Sequence, residues 1–308
     1  LRNAMRFAQA QHAEVLRELD HLRDALAAIE VAPILLKGAA YVAAGLMPAM
    51  GRVFSDIDLL VPKARLPEAE AALMAHGWVG SHHTPYDQRY YRQWMHELPP
   101  MRHVQRGTVI DLHHAIVPET ARVKSDAALI IEAAVPLADG SPFRILAPAD
   151  MVLHSMVHLF NNDDLQHALR DLGDIDALLR QFGADAAFWE TLSDRALALG
   201  LERALHHGLC HARSLLATPV PPPLLQSVRR FDRRWPAQAL SDACWVRALR
   251  PRHASASDGW TPLALSGLYA HAHWLRMPAG LLVYHLTVKS LRLHEIGASS
   301  RRRRSEGG

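Results

Sequence analysis

Asp56 and Asp58 stand two residues apart in the stretch Gly51-Arg52-Val53-Phe54-Ser55-Asp56-Ile57-Asp58-Leu59-Leu60-Val61-Pro62. Ile57, Leu59 and Val61 are apolar and Pro62 ends the run, which predicts a short strand whose last half is buried. Residues two apart on a strand share a face, so the two carboxylates lie side by side. Carboxylates that close repel unless a cation or a shared proton sits between them. Converging oxygen ligands of this kind suit Mg²⁺. A bare D-x-D is more often an exposed strand end, so the case rests on what accompanies it. A third acid, Asp111, lies in Val109-Ile110-Asp111-Leu112-His113. Alternation puts Asp111 on one face with Val109 and His113, while Ile110 and Leu112 point into the core. Pairing of the two strands would gather three oxygen donors around one or two Mg²⁺ ions, the arrangement for in-line phosphoryl or nucleotidyl displacement. Asp111 would then be both a metal ligand and the general base for an acceptor hydroxyl.

Around these acids stand residues that could hold phosphates. Lys37-Gly38-Ala39-Ala40 falls at a strand-to-helix turn, where glycine permits close backbone approach and the helix offers free N–H groups. Lys37 adds a point charge. Arg52 precedes the acidic strand and could pair with a phosphate or with an acid of its own domain, and Ser55 could steady the strand entry. His113 would face the same side as Asp111 and could touch phosphate or orient that acid. His154 and His158 are four apart on an expected helix but lack the Glu and third ligand of H-E-x-x-H. Asp171, Asp174 and Asp176 share one helical stretch and read as a solvated face with caps.

The elements that must position these residues are set by periodicity and breakers. Residues 2 to about 30 lack Pro and Gly and space Val15, Leu16, Leu19, Leu22 and Leu26 helically, predicting an amphipathic helix packed on the αβ region after it. Ile34 to Leu36 reads as a strand and Ala39 to Met47 as a short helix. Leu66 to His76 reads as a helix with Trp78 as an anchor beyond it. Gln88 to Leu98, rich in aromatics, reads as a strand. Met101 to Ile116, turning at Arg106-Gly107-Thr108, and Val135 to Leu146 read as hairpins. From Pro148 the pattern is helical, over 148–161, 164–182, 187–199, 201–216, 222–232, 236–249, 262–276 and near 279–293. The expected organisation is an N-terminal helix (1–30), an αβ domain (31–147), a helical domain (148–297) and a disordered tail (298–308) of Ala, Ser, Arg, Glu and Gly.

Composition excludes several classes. The formal charge of +3 comes from the tail; without Arg301 to Arg304 and Glu306, 30 basic residues balance 30 acidic ones. There is no broad basic field, which argues against nucleic acid as partner. Cys210 and Cys244 fit no metal spacing and no disulfide framework, and imply a reducing cytoplasm. No apolar run is long enough to span a membrane. Oligomeric state leaves no mark on the sequence.

Taken together, Leu36-Lys37-Gly38-Ala39-Ala40, Arg52-Val53-Phe54-Ser55-Asp56-Ile57-Asp58-Leu59-Leu60-Val61 and Val109-Ile110-Asp111-Leu112-His113 resemble the uncharacterised bacterial nucleotidyltransferase family of the DNA-polymerase-β-like superfamily. The similarity continues through Leu169-Arg170-Asp171-Leu172-Gly173-Asp174-Ile175-Asp176 and Gly200-Leu201-Glu202-Arg203-Ala204-Leu205, so it covers roughly residues 30 to 225. The resemblance implies an α+β fold, a palm of small mixed sheet and helices followed by an all-helical domain. It implies transfer of NMP from an NTP to a hydroxyl of a small molecule or protein, with Asp56 and Asp58 as the metal pair, Asp111 as third acid and Gly38 at the phosphate. The superfamily has an apolar residue before that glycine and Gly or Ser after it, where this chain has Lys37 and Ala39. That departure leaves a second reading, an inactive scaffold that binds nucleotide or a partner protein. A haloacid-dehalogenase-type phosphatase fits less well, because it needs a doubly wound domain and the second half here is all helix.

Overall fold

The computed structural model describes residues 2–81, 84–138, 140–228 and 237–284. The tail from 298, the end of the helix expected over 222–232 and most of the one expected near 279–293 fall outside these residues. In chain order the first half contains α1 (Arg2–Leu26), β1 (Ile34–Leu35), α2 (Lys37–Ala43), β2 (Ile57–Leu60), α3 (Leu66–Ala75) and β3 (Trp78–Gly80). It continues with α4 (Pro85–Trp94), β4 (Met101–His103), β5 (Val109–His113), α5 (Ala127–Ala133), β6 (Val135–Pro136) and β7 (Arg144–Ile145). The second half comprises α6 (Pro148–Asn161), α7 (Ala168–Phe182), α8 (Ala186–Ala198), α9 (Glu202–Leu216), α10 (Pro222–Val228), α11 (Ala237–Ala248) and α12 (Thr261–Arg276).

The strands form one mixed sheet in the order β3-β4-β5-β2-β1-β7-β6. β2 and β5 are parallel neighbours, and Asp58 faces Asp111 in their register. Period-two alternation assigns the faces. Ile57, Leu59, Ile110 and Leu112 join a core with Leu19 and Leu22 of α1 and Leu73 of α3. Leu60, Leu36 and Ile34 join the opposite core, built around α6 and the later helices. Asp58, Asp111 and His113 share that second face. This is a small mixed αβ sheet followed by helices, as a nucleotidyltransferase fold requires, and the sheet is not doubly wound.

Two helices hold the acidic strand in place. Gln11 of α1 uses its amide at both ends on Phe54, accepting from the Phe54 N–H (2.8 Å) and donating to its carbonyl. His12 of α1 contacts the Arg52 carbonyl at 2.8 Å. Buried Glu18 receives a two-pronged bond from Arg106 and one from Thr108, tying α1 to the β4–β5 turn. Gly107 in that turn has φ +73°, a conformation glycine adopts without a Cβ penalty. On the other face α6 is buried nearly all round and packs against α7, α8 and α9, the behaviour of a central rather than a surface helix.

Three expectations are corrected. Gln88 to Leu98 is not a strand: residues to Trp94 form α4. Tyr86, Tyr90 and Trp94 recur every four residues and their rings pack in sequence, while Arg89–Gln93 and Gln88–Arg92 bonds span single turns. Aromatic content suggested a strand, but the spacing is helical. Second, α7 begins at Ala168, not 164, because the Asp164 carboxylate accepts from the Gln166 N–H and holds a turn there. Third, Asp171 and Asp174 are buried rather than solvated. Asp174 pairs with Arg52, and only Asp176 keeps to the rim, bonded to Arg180 and Thr218. Cys210 and Cys244 are not joined in a disulfide, and among the described residues no helix is long and apolar enough to cross a membrane.

Candidate functional site

Asp56, Asp58 and Asp111 converge on one cavity of about 510 Å³ between the sheet, α4, α6 and the end of α12. Parallel neighbouring strands run about 4.8 Å apart, so the in-register Asp58 and Asp111 stand close enough for their charges to interact strongly. Burial first, then the nearby Asp58, Glu97 and Asp56 charges, push the Asp111 carboxyl up to about 7. Asp111 Oδ1 is buried and has no hydrogen-bond partner among the described residues. Asp56 is likewise raised by burial and by Asp58. Burial would also raise Asp58, but Lys37 and His113 outweigh it and hold that carboxyl well below the usual range.

The partners of Asp58 define its environment. His113 Nε2 lies 3.0 Å from Asp58 Oδ1, and Lys37 Nζ lies 3.9 Å from Oδ2. Burial works against a charged His113, yet the Asp58 bond and Glu97 raise its pKa above the ordinary histidine value. His113 therefore orients Asp58, not Asp111 as its strand face suggested. Lys37 has φ +40°, a left-handed backbone that a non-glycine residue adopts at a cost of about 1 kcal/mol or more. The Leu36 N–H just before it donates to the Asp58 carbonyl (3.0 Å), so β2 itself anchors the turn that carries the ammonium.

The remaining expected phosphate residues stand apart from the cavity. Gly38 and Ala39 are buried, and a Cβ on Gly38 would come within 2.1 Å of the Phe54 ring; its smallness serves that contact. Arg52 stacks on Phe54 and pairs with Asp174 rather than lining the cavity. Its partner is an acid, but one on α7 in the helical region rather than in its own expected domain. Ser55 is exposed at the strand entry and bonds Asp56.

Several lining residues carried no sequence signal. The Leu98 N–H donates to the Leu112 carbonyl (2.9 Å) and the His114 N–H to the His96 carbonyl (2.8 Å), so segment 96–98 extends the ladder along β5. This brings His96, Glu97 and His113 together with ligand atoms within 4.8 Å of one another, a second group able to hold a cation. Tyr90 and Tyr91 of α4 line the opposite wall. Arg276 closes the far side, donating to Asn162 and Asp163 at 2.8 Å. His154 and His158 face the same cavity from α6. Burial, then the Lys37 charge, drives His154 down to about 3 and His158 well below its ordinary value, so both present neutral imidazoles.

A family model described as "Uncharacterised nucleotidyltransferase" matches residues 1–217, which include the whole sheet and every carboxylate of the cavity. Comparison with curated proteins finds no match.

Proposed function

The chain belongs to the uncharacterised nucleotidyltransferase family, and on that footing we propose that it transfers NMP from an NTP to the hydroxyl of a small molecule or protein. The observation that carries this reading is the Asp56, Asp58 and Asp111 cluster at the floor of a nucleotide-sized cavity. Nucleotidyltransferases in general use divalent metals, and the residues here fit one. Three carboxylates crowd one face, and the buried Asp111 Oδ1 has no donor among the described residues, so a hard cation would satisfy oxygens that otherwise repel. Asp56, Asp58 and Asp111 would hold Mg²⁺, one ion or two. When bound, it would neutralise charge on the reacting phosphoryl oxygens.

The protein groups supply the rest. Asp111, with its pKa raised toward neutrality, is suited to accept the proton from the attacking acceptor hydroxyl. His113 fixes the Asp58 carboxylate from below, and Lys37 places a point charge where the phosphates would lie. The Tyr90 and Tyr91 rings offer apolar wall to a base or to the acceptor. The balanced charge outside the tail supports an acceptor other than nucleic acid.

The test is transfer of label from α-labelled ATP, GTP, CTP or UTP in Mg²⁺ to hydroxyl-bearing metabolites or proteins. We expect stable labelling from one nucleotide, none from the γ-labelled form, and none with Asp58→Asn. Labelling that survives Asp58→Asn unchanged would sink the assignment. The competing reading, a nucleotide-binding scaffold without transfer, draws on Lys37 and Ala39 flanking a Gly38 that is packed under Phe54. Equal nucleotide affinity with and without Mg²⁺ would favour it.

A further inference from the structure

Away from the carboxylate cavity, α9 carries two histidines one turn apart that are both deeply buried, His207 at 8% and His211 at 3% exposure. Burying two imidazoles is costly unless their nitrogens find partners, yet among the described residues nothing hydrogen-bonds the enclosed His207 Nδ1 or His211 Nε2. Both point toward one carboxylate oxygen from the neighbouring helix α11. Asp242 Oδ1 lies 4.0 Å from His207 Nδ1 and 3.7 Å from His211 Nε2, beyond hydrogen-bond reach in each case. All three atoms fall within 4.8 Å of one another.

The surroundings hold this arrangement rigidly. The two imidazole planes are nearly parallel (7°), and the Phe160 ring of α6 stacks on each, at 5.5 and 5.8 Å. Trp245, one turn beyond Asp242, closes against Phe160 edge-on at 4.8 Å. An apolar wall on one side and two nitrogens with one oxygen on the other is how proteins present ligands to a borderline metal ion. Tetrahedral coordination at about 2.0–2.2 Å would separate donors by roughly 3.3–3.6 Å, a spacing that the 4.0 and 3.7 Å separations from Asp242 approach.

We propose that His207, His211 and Asp242 form a binding site for a zinc-class divalent transition metal that fastens α11 to α9. Two nitrogens and one oxygen select Zn²⁺, Co²⁺ or Ni²⁺ over Mg²⁺ and Ca²⁺, which take oxygen sets. Burial, aided by the neighbouring histidines, lowers His207 to about 3 and His211 to about 4, so both rings are in the ligating neutral form. Three protein ligands leave a fourth position for water. The site also bears on the proposed nucleotide cavity, because α11 packs on α12, and α12 ends in the Leu275 and Arg276 that wall that cavity.

The test uses the full chain stripped with chelator and dialysed. Zn²⁺ is titrated calorimetrically, Co²⁺ by visible absorption, and retained metal is counted after gel filtration. We expect one tightly held equivalent, intense tetrahedral Co²⁺ bands, and at least tenfold weaker binding in His211→Ala and Asp242→Asn. Asp242 has a 42% exposed side chain, so Asp242→Asn keeps the fold if His211→Ala does not. Glu97→Gln, which removes a donor from the group beside the carboxylates, should leave the equivalent intact. No retained equivalent overturns the proposal. So does wild-type affinity in Asp242→Asn, or loss of the equivalent in Glu97→Gln instead.

Discussion

Replacing Asp111 with asparagine should stabilise the metal-free protein at alkaline pH while removing its response to divalent metal. The Asp111 carboxyl sits at about 7 when folded, against an ordinary 3.8. A carboxyl whose pKa is higher in the folded than in the unfolded state binds its proton more tightly when folded. Its favourable contribution is therefore complete below pH 3.8 and is lost as pH rises to about 7. Three pKa units correspond to about 4 kcal/mol, so above pH 7 the ionised Asp111 burdens the fold by up to that amount. Asparagine keeps the shape and carries no charge. In urea unfolding with chelator present, Asp111→Asn should exceed the wild type by up to about 4 kcal/mol at pH 8. At pH 4 the two should agree within about 1 kcal/mol. Comparing variant with wild type cancels the pH dependence of groups remote from Asp111; Asp58, Glu97, His113 and Asp56 are coupled to it and their response is part of the difference. Addition of Mg²⁺ at pH 8 should then raise wild-type stability and leave Asp111→Asn unmoved. Parallel stability curves from pH 4 to pH 9 would refute the electrostatic account of the cluster.

Other outcomes rest on single contacts. Arg52→Ala strands Asp174 in a nearly enclosed site, its side chain 12% exposed, and should cost about 3–5 kcal/mol in urea unfolding; Arg52→Met with Asp174→Leu should recover most of it. Gly38→Ala forces a methyl to 2.1 Å from the Phe54 ring and should cost about 1–3 kcal/mol, a penalty that shrinks in a Phe54→Ala background. Lys37→Gln removes the cation 3.9 Å from Asp58. It should raise the Asp58 pKa, seen by carboxyl NMR titration, and weaken NTP binding by roughly ten- to a hundredfold.

Much of the carboxylate floor was legible because strand chemistry is local. Alternation in Ile57 to Val61 and in Val109 to His113 fixed which side chains share a face, and the Asp58–Asp111 register is set once β2 and β5 pair. The β4–β5 turn was marked by Gly107 and the β6–β7 hairpin by Gly140. The walls were not legible for the opposite reason. His96 and Glu97 reach the cavity through an irregular extension of the β5 ladder, and Arg276 arrives from a helix more than 160 positions after Asp111. Asp174 looked solvated because its partner, Arg52, sits in another element. The four-residue rhythm of Tyr86, Tyr90 and Trp94 was present in the sequence, but aromatic content obscured it.

The most direct test of the central claim is calorimetric titration of ATP, GTP, CTP and UTP into the protein, with and without Mg²⁺, beside Asp56→Ala/Asp58→Ala checked for fold by circular dichroism. The account predicts that at least one nucleotide binds in Mg²⁺, binds far more weakly without it, and loses that dependence in the double variant. Absence of binding by all four, or equal affinity whether or not Mg²⁺ is present, would contradict it.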